Sequence, residues 1–299
     1  MDRISLRAHA KLNLALAVGA PVDAPGEPSD GFHPICSYMH AIELHDTVEI
    51  ERAQHRGRTR FDIAWSRGDG VTEPVGWLQE QDLVVKAYKE LHNRTGENMR
   101  CSIRVRKSIP AGGGLGGGSS DAAGVLLGLN ELFALGLGRD ELVAIAMTLG
   151  SDIAFFLDPG HAPPRPAIVT GFGEGIERQD ARRDGTEVTL IFPPFACATG
   201  AVYNAFDSIC ERGAPDEGPA RALGDPCADA EGLIMNDLFG AACAVTGELR
   251  SLHEGLAGAL ARAVHLSGSG STMFVLGRVD ERRVHEVAPD CRVVHTRLC

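Results

Sequence analysis

From Leu6 to Val18 the apolar residues Leu6, Ala8, Ala10, Leu12, Leu14, Leu16 and Val18 fall on every second position. That is the period of a strand with one buried face. The opposite parity carries His9, Lys11 and Asn13, and alternation alone leaves open whether Lys11 meets solvent. Gly19 to Gly31 holds three prolines and reads as an exposed loop. It delivers the turn Ser29-Asp30-Gly31-Phe32-His33-Pro34, where an aromatic ring and an imidazole stand side by side. Such a turn is either structural or a pair able to stack on a base and hydrogen-bond to it. Cys36 to Glu51 continues as strand through Tyr38, His40, Ile42, Leu44, Val48 and Ile50, with a break at His45-Asp46. Phe61 to Trp65 is a further short strand. Asp82 to His92 has helical spacing (Leu83, Val84, Ala87, Tyr88, Leu91), and Cys101 to Val105 alternates again.

The pattern then stops at Pro110-Ala111-Gly112-Gly113-Gly114-Leu115-Gly116-Gly117-Gly118-Ser119-Ser120-Asp121, with six glycines between 112 and 118. Without Cβ atoms such a run enters φ > 0 freely, so successive backbone N–H groups can converge on an anion. Ser119, Ser120 and Asp121 are good N-cap residues. Behind them Ala122, Val125, Leu126, Leu129 and Phe133 form the stripe of an amphipathic helix. Strand, glycine loop and helix N-terminus in that order make a phosphate site. A flexible linker would not be flanked this way. The run formally contains G-x-G-x-x-G (Gly112, Gly114, Gly117), as any poly-glycine does, and no Walker lysine follows it.

Arg139 to Leu149 predicts a second helix with Leu142, Ile145, Ala146 and Leu149 inward, closed by Gly150. Asp152 comes next, before the apolar run Ile153 to Leu157; it is either a helix cap or a partly desolvated base. Pro163-Pro164-Arg165-Pro166 reads as a domain joint. Beyond it come a strand at Val188–Phe192, a helix at Gly200–Ile209, a polar loop from Glu211 to Glu231 and helical character from Leu238 to Leu260. The chain closes with a strand at Ala263–Leu266, the tight loop Ser267 to Ser271, a strand at Thr272–Leu276, a short helix, and a strand at Arg292–His295. This β-α-β-β-α-β order predicts a ferredoxin-like second domain.

Bulk properties narrow the chemistry. At 299 residues, with 44% hydrophobic and 23% charged positions, the chain is an ordinary globular protein of two domains. A formal net charge of −11 with no long basic run argues against nonspecific nucleic-acid binding. The eight cysteines (36, 101, 197, 210, 227, 243, 291 and 299) include no C-x-x-C pair, so they read as scattered thiols of a reducing compartment. No apolar run reaches 18 residues, and Met1-Asp2-Arg3-Ile4-Ser5 has no signal-peptide core. The expectation is a cytoplasmic protein without membrane association.

Three separated stretches, in order, resemble the GHMP kinase superfamily: Ala10-Lys11-Leu12-Asn13-Leu14, the glycine run to Ala123, and Leu266-Ser267-Gly268-Ser269-Gly270-Ser271-Thr272-Met273-Phe274. The resemblance implies an α+β, two-domain GHMP kinase fold. Its ribosomal-protein-S5-like, ATP-binding N-terminal domain would occupy residues 1–162 and its ferredoxin-like C-terminal domain residues 163–299. Asp30-Gly31-Phe32-His33, the long glycine loop and Leu149-Gly150-Ser151-Asp152-Ile153-Ala154-Phe155-Phe156 are most similar to one branch. Members of that branch phosphorylate the 2-hydroxyl of a methylerythritol carrying a cytidine diphosphate, in the non-mevalonate route to isoprenoids. By resemblance Lys11 and Asp152 form the catalytic pair. Lys107, Pro110, Gly112, Gly113, Gly114, Leu115, Gly116, Gly117, Gly118, Ser119 and Ser120 take ATP, and Ser120 reaches Mg²⁺. Asn13, Phe32, His33, Asp152, Thr199, Tyr203, Gly268, Ser269 and Gly270 contact the substrate, with Phe32, His33 and Tyr203 at the cytosine. The partners implied are ATP and a small cytidine diphosphate ester, bound by a monomer or weak homodimer.

Phosphoryl transfer needs positioning and charge stabilisation more than covalent chemistry. In this scheme Asp152 takes or orients the hydroxyl proton, and a cation such as Lys11 within about 4–6 Å would keep a carboxylate ionised. Four features depart from the branch pattern: Phe32 stands where Tyr is common and Asp82 where Asn precedes Leu-Val, the loop Pro21 to Ser29 is long, and Pro34 follows His33 directly. Three alternatives stay open: a mevalonate- or homoserine-type kinase, a catalytically silent nucleotide sensor, and a dinucleotide-binding oxidoreductase.

Overall fold

The computed structural model describes residues 2–26, 29–53, 57–67, 71–180, 183–209, 213–225 and 227–299. Parts of the predicted loops at 19–31 and 211–231, and Cys210, lie outside the described residues. In chain order the strands are β1 Arg3–Val18, β2 Ile35–Arg52, β3 Arg60–Ser66, β4 Thr72–Pro74, β5 Cys101–Lys107, β6 Ala167–Gly171, β7 Gly175–Arg178, β8 Glu187–Phe192, β9 Met235–Asn236, β10 His265–Leu266, β11 Met273–Leu276 and β12 Arg292–Arg297. The helices are α1 Leu83–Thr95, α2 Gly117–Leu132, α3 Arg139–Met147, α4 Ile153–Phe156, α5 Thr199–Phe206, α6 Gly218–Leu223, α7 Phe239–Val245, α8 Glu248–Leu260 and α9 Glu281–Val287. The chain divides into two compact units. The first comprises Met1–Ala10, Leu44–Ala111 and Gly116–Pro164; the second comprises Lys11–Glu43, Gly112–Leu115 and Arg165–Cys299.

In the first unit the end of β2 pairs antiparallel with β5, from Thr47 opposite Arg106 to Arg52 opposite Cys101. β3 runs parallel to β5 and antiparallel to β4. β2 is unbroken through His45-Asp46, contrary to the predicted break. Asp46 has the same parity as the buried Val48 and Ile50, and its carboxylate is satisfied inside by donors from Lys107, Ser108 and Ile109, so the strand continues past it. α2 lies on this sheet. A Cβ on Gly128 would come within 2.8 Å of Ile50 Cδ1, so the helix approaches the strands at a distance only glycine permits. Its stripe Ala122, Val125, Leu126 and Leu129 is buried as predicted, whereas Phe133 is half-exposed at the C-cap. α1 begins one residue after the predicted Asp82, because the Asp82 carboxylate caps it by accepting from Val84 N at 2.9 Å.

In the second unit β8, β10, β11 and β12 form an antiparallel sheet in the order β10-β11-β8-β12. With α9 between β11 and β12 this is the ferredoxin-like arrangement. The link from β8 to β10 is larger than one helix: it carries α5 to α8 and β9. α6 forms inside what reads in sequence as a polar loop, and Leu238–Leu260 is interrupted at Thr246-Gly247. The start of β2 pairs with β6, which pairs with β7, and the end of β1 meets β9 in parallel. Both parities of β1 are buried from Ala8 to Val18, so Lys11 does not face solvent. Of the described cysteines, Cys36, Cys101, Cys197, Cys243 and Cys291 are buried free thiols and Cys227 is exposed.

A half-buried histidine, His265, ties this unit's stability to pH. His265 leaves Nε2 buried without a hydrogen-bond partner and packs against Phe274 at 5.3 Å between centroids. Burial, with the nearby His253, pushes its pKa down to about 4. The folded state therefore binds fewer protons than the unfolded state between about pH 4 and 6.5, so stability falls as the pH drops through that window. We expect His265→Phe to remove roughly 2 kcal/mol of that loss, read as a smaller difference in Tm between pH 7.5 and pH 5 than in the native protein. An unchanged difference would place the acid sensitivity elsewhere.

Candidate active site

The glycine loop has the backbone that its composition predicts. Gly112, Gly114 and Gly116 have φ of +70°, +75° and +69°, at every second position. Alternation of left-handed residues with ordinary ones turns consecutive N–H groups toward one concavity, the geometry that receives phosphate oxygens. Gly116 is itself the N-cap of α2, so its end of the loop opens directly onto a helix N-terminus. Ser119, Ser120 and Asp121 are not the caps that the sequence suggests; they lie within the first two turns. The helix starts at Gly117, directly after the left-handed Gly116, and Gly117 packs so closely on Ile109 that a Cβ would meet Cγ2 at 2.9 Å. Ser120 is buried and Gly118 exposed.

In the second unit three stretches distant in sequence come together. Lys11 N donates to Leu115 O at 2.9 Å. Lys11 Nζ donates to Asn13 Oδ1 at 2.5 Å, and Asn13 Nδ2 donates to Ser37 Oγ at 2.8 Å, which fixes the Asn13 amide. Ser37 Oγ in turn donates to Ala15 O. Lys11 is only 3% exposed. Gly268 sits directly against this pair: a Cβ there would lie 3.4 Å from both Lys11 Nζ and Asn13 Oδ1. Ser267 Oγ donates to Gly114 O at 3.1 Å, and Thr272 N donates to Gly113 O. Asn236 Nδ2 holds the carbonyls of Leu266 and Gly268 at 2.9 and 2.8 Å, and Thr199 Oγ1 lies 2.9 Å from Ser269 Oγ. An ammonium, the backbone of the glycine loop and a serine-glycine turn thus converge within one unit. Such a cluster is suited to a charged oxygen and to nothing apolar.

The Phe32/His33 turn belongs to the same unit. His33 Nδ1 donates to Gly19 O at 2.8 Å, and its Nε2 lies 3.1 Å from Asp207 Oδ1. The Tyr203 and Phe206 rings flank it at 5.2 and 5.8 Å. Phe32 is 58% exposed and meets Phe172 edge-on at 6.2 Å. An exposed aromatic face beside an imidazole fixed by its own partners is the pattern of a stacking site with a rigid wall.

The remaining predicted residues stand in the first unit. Asp152 is half-buried at the N-cap position of α4, but its side chain makes no capping hydrogen bond; the cap alternative therefore does not describe it. Lys107 is buried with its ammonium 2.7 Å from Asp46 Oδ2 and in a short contact with Asp121 Oδ2. Burial works against that ammonium's charge, but the two carboxylates outweigh it and raise its pKa. Asp121 is pushed up by burial, then by the carboxylates of Asp46 and Asp82, because one cation cannot neutralise them all. Asp82 accepts from Trp77 Nε1 at 2.8 Å as well as capping α1. It borders a cleft of about 230 Å³ shared with Phe61, Ile63, Pro74, Val75 and Gln79. Sequence reasoning misses Asp46, Ser37, Asn236 and Asp207 and takes Asp121 only as a cap. For Asp46 a signal existed: a carboxylate on the inward parity of a strand.

Comparison with known proteins gives the family and the fold. Residues 82–160 match the model of the GHMP kinases N-terminal domain. A solved structure of a mevalonate kinase superposes with a TM-score of 0.60 at 13% identity over 99% of both chains, which shows the shared fold. The architecture is the α+β, two-domain GHMP kinase fold. A crystal structure of 4-(cytidine 5'-diphospho)-2C-methyl-D-erythritol kinase superposes with a TM-score of 0.72 at 27% identity, over 99% of both chains. The 4-diphosphocytidyl-2-C-methyl-D-erythritol kinase of Symbiobacterium thermophilum is 33% identical over 98% of this chain and 99% of its own, and that of Nocardia farcinica 37% over 91% and 84%. The chain belongs to the 4-diphosphocytidyl-2-C-methyl-D-erythritol kinase family.

Proposed function

We propose that this protein transfers the γ-phosphate of ATP to the 2-hydroxyl of 4-diphosphocytidyl-2-C-methyl-D-erythritol, a step in isoprenoid precursor synthesis. One observation carries the phosphotransferase reading: Lys11, Asn13, the left-handed Gly114 and the Ser267-Gly268 turn meet in one polar cluster around a buried ammonium. Family membership supplies the choice of alcohol. In the reaction the substrate oxygen forms a bond to the γ-phosphorus while the bond from that phosphorus to the β–γ bridging oxygen breaks, releasing ADP. Asp152 accepts the hydroxyl proton, and Lys11 stabilises charge on the attacking oxygen. Asn13 holds the Lys11 ammonium in place, and the amides of the 112–118 loop hold the triphosphate. The cleft beside Asp82 takes the adenine.

Mg²⁺ neutralises phosphate charge when it is bound. Mg²⁺ prefers oxygen ligands and keeps several waters, so in such a site it is carried largely by phosphates and water. The Ser120 hydroxyl would be its protein ligand. We further propose that Phe32 and Tyr203 stack on the cytosine and that His33, its ring held by Gly19 O and Asp207, lines the same site, with Thr199 and the turn Gly268-Ser269-Gly270 lining the rest of the substrate. The enzyme would act in the cytoplasm, as a monomer or weak homodimer. No helix among the described residues is long and apolar enough to cross a membrane.

Phosphorus NMR of the product tests the acceptor. A new phosphomonoester resonance with both diphosphate resonances of the cytidyl group retained supports it, and loss of the diphosphate pair refutes it. Phe32→Ala is expected to raise KM for the cytidyl substrate about tenfold, the cost of one base–aromatic stack, and to leave KM for ATP unaltered. An unaltered substrate KM would reduce Phe32 to a turn residue and favour a mevalonate- or homoserine-type acceptor.

A further inference from the structure

The glycine loop is suspended between two posts, the end of β5 and the start of α2, and one buried charge cluster fastens both. Asp46 Oδ1 accepts from the backbone N–H groups of Ser108 and Ile109, the latter at 2.8 Å, and its Oδ2 accepts from Lys107 Nζ at 2.7 Å. Ser108 and Ile109 are the residues between β5 and Pro110, where the loop begins. Lys107 Nζ also donates to Asp121 Oδ2, in the second turn of α2, where the loop ends. Ile109 closes the same gap from the apolar side by packing against Gly117. Asp46, Lys107 and Asp121 are all essentially inaccessible to solvent.

Stability does not account well for this arrangement. Two carboxylates share one ammonium away from water, and Asp121 Oδ1 is buried without a hydrogen-bond partner. A buried ion cluster with an unpaired oxygen is an expensive way to join two elements that apolar side chains could join. What the cluster does supply is direction. A carboxylate that grips two successive N–H groups fixes the path of the chain into the loop. The shared ammonium then sets that path against the helix that receives the phosphates.

We propose that Asp46 is a positioning residue for phosphoryl transfer, which holds the two ends of the glycine loop in the register that lets its amides converge on the polyphosphate. The inference rests on the reading of the loop as an ATP site. Asp46 itself touches no substrate; it acts through Ser108, Ile109 and Lys107. Preorganised anion sites lose affinity steeply when their donors drift, so the consequence falls on nucleotide binding.

The test is calorimetric titration of Mg-ATP into native protein, Asp46→Asn and Asp46→Glu, with Tm measured for each. Asp46→Asn keeps one acceptor oxygen but loses the charge that holds Lys107. It should weaken Mg-ATP binding by about tenfold and raise KM for ATP in parallel, with KM for the alcohol unchanged. Asp46→Glu retains the charge and should recover part of the loss; it also serves if the Asn variant does not fold. A folded variant with lower Tm and native ATP affinity would overturn the proposal and make Asp46 a purely structural residue. If the native protein did not bind Mg-ATP, the ATP reading would fall and this inference with it. Native binding with an unaffected Asp46→Asn would remove the inference alone.

Discussion

Asp152→Asn is expected to fold normally and to lose about a thousandfold in kcat, with both KM values close to native. General-base contributions run from about a hundredfold to ten thousandfold. The upper half of that range applies where the group must take a proton from an alcohol and no other carboxylate can replace it. Asn preserves the size and one acceptor oxygen of Asp152 but cannot hold the proton. Asp152 is half-buried and its carboxylate does not cap α4, so the substitution should not cost a helix cap. Steady-state kinetics with ADP detection checks the loss, and a thermal melt checks the fold. A folded variant that retains near-normal kcat would remove Asp152 as the base and leave the reaction to loop and cation alone.

Gly114→Ala should be comparably severe by a different route. Gly114 has φ of +75°, and a Cβ built on it would lie 2.1 Å from Ser267 O and 3.1 Å from its carbonyl carbon. Both atoms are backbone, so no rotamer change relieves the clash. The left-handed conformation alone costs an L-residue about 1–2 kcal/mol, and the clash forces the loop away from the Ser267-Gly268 turn. A displacement near 1 Å at a positioning element costs on the order of a hundredfold. The expected result is a loss of Mg-ATP affinity of at least about that size in a protein whose far-UV circular dichroism is unchanged. Native affinity in Gly114→Ala would mean that the loop amides do not hold the phosphates.

The contrast between these residues shows what a sequence carries. The glycine loop was readable because its chemistry is local: absence of Cβ atoms permits left-handed backbone, and Gly112, Gly114 and Gly116 adopt it. Its helix was readable from the 3.6-residue stripe, though not its first residue, because a left-handed glycine, Gly116, stands at the N-cap where serine or aspartate is the usual signal. The ferredoxin-like order was legible from alternating strands, whereas α6 was hidden in a polar stretch whose burial of Ala220 and Leu223 is set by tertiary neighbours. Lys11 was legible as a candidate only through resemblance to a family. Alternation places it opposite the apolar parity, yet both faces of β1 are covered there. Asp46 was misread because a charged residue in a strand looks like a break. Its donors, Ser108 and Ile109, are more than sixty residues away. Periodicity shows that Asp46 points inward but not which distant groups it meets.

The most direct measurement of the central claim is ADP release from Mg-ATP with 4-diphosphocytidyl-2-C-methyl-D-erythritol, run beside mevalonate, homoserine and galactose. The account predicts turnover with the cytidyl substrate and background rates with the other three. Turnover with one of those alcohols and not with the cytidyl substrate would contradict it, as would ATP binding with no turnover on any of the four.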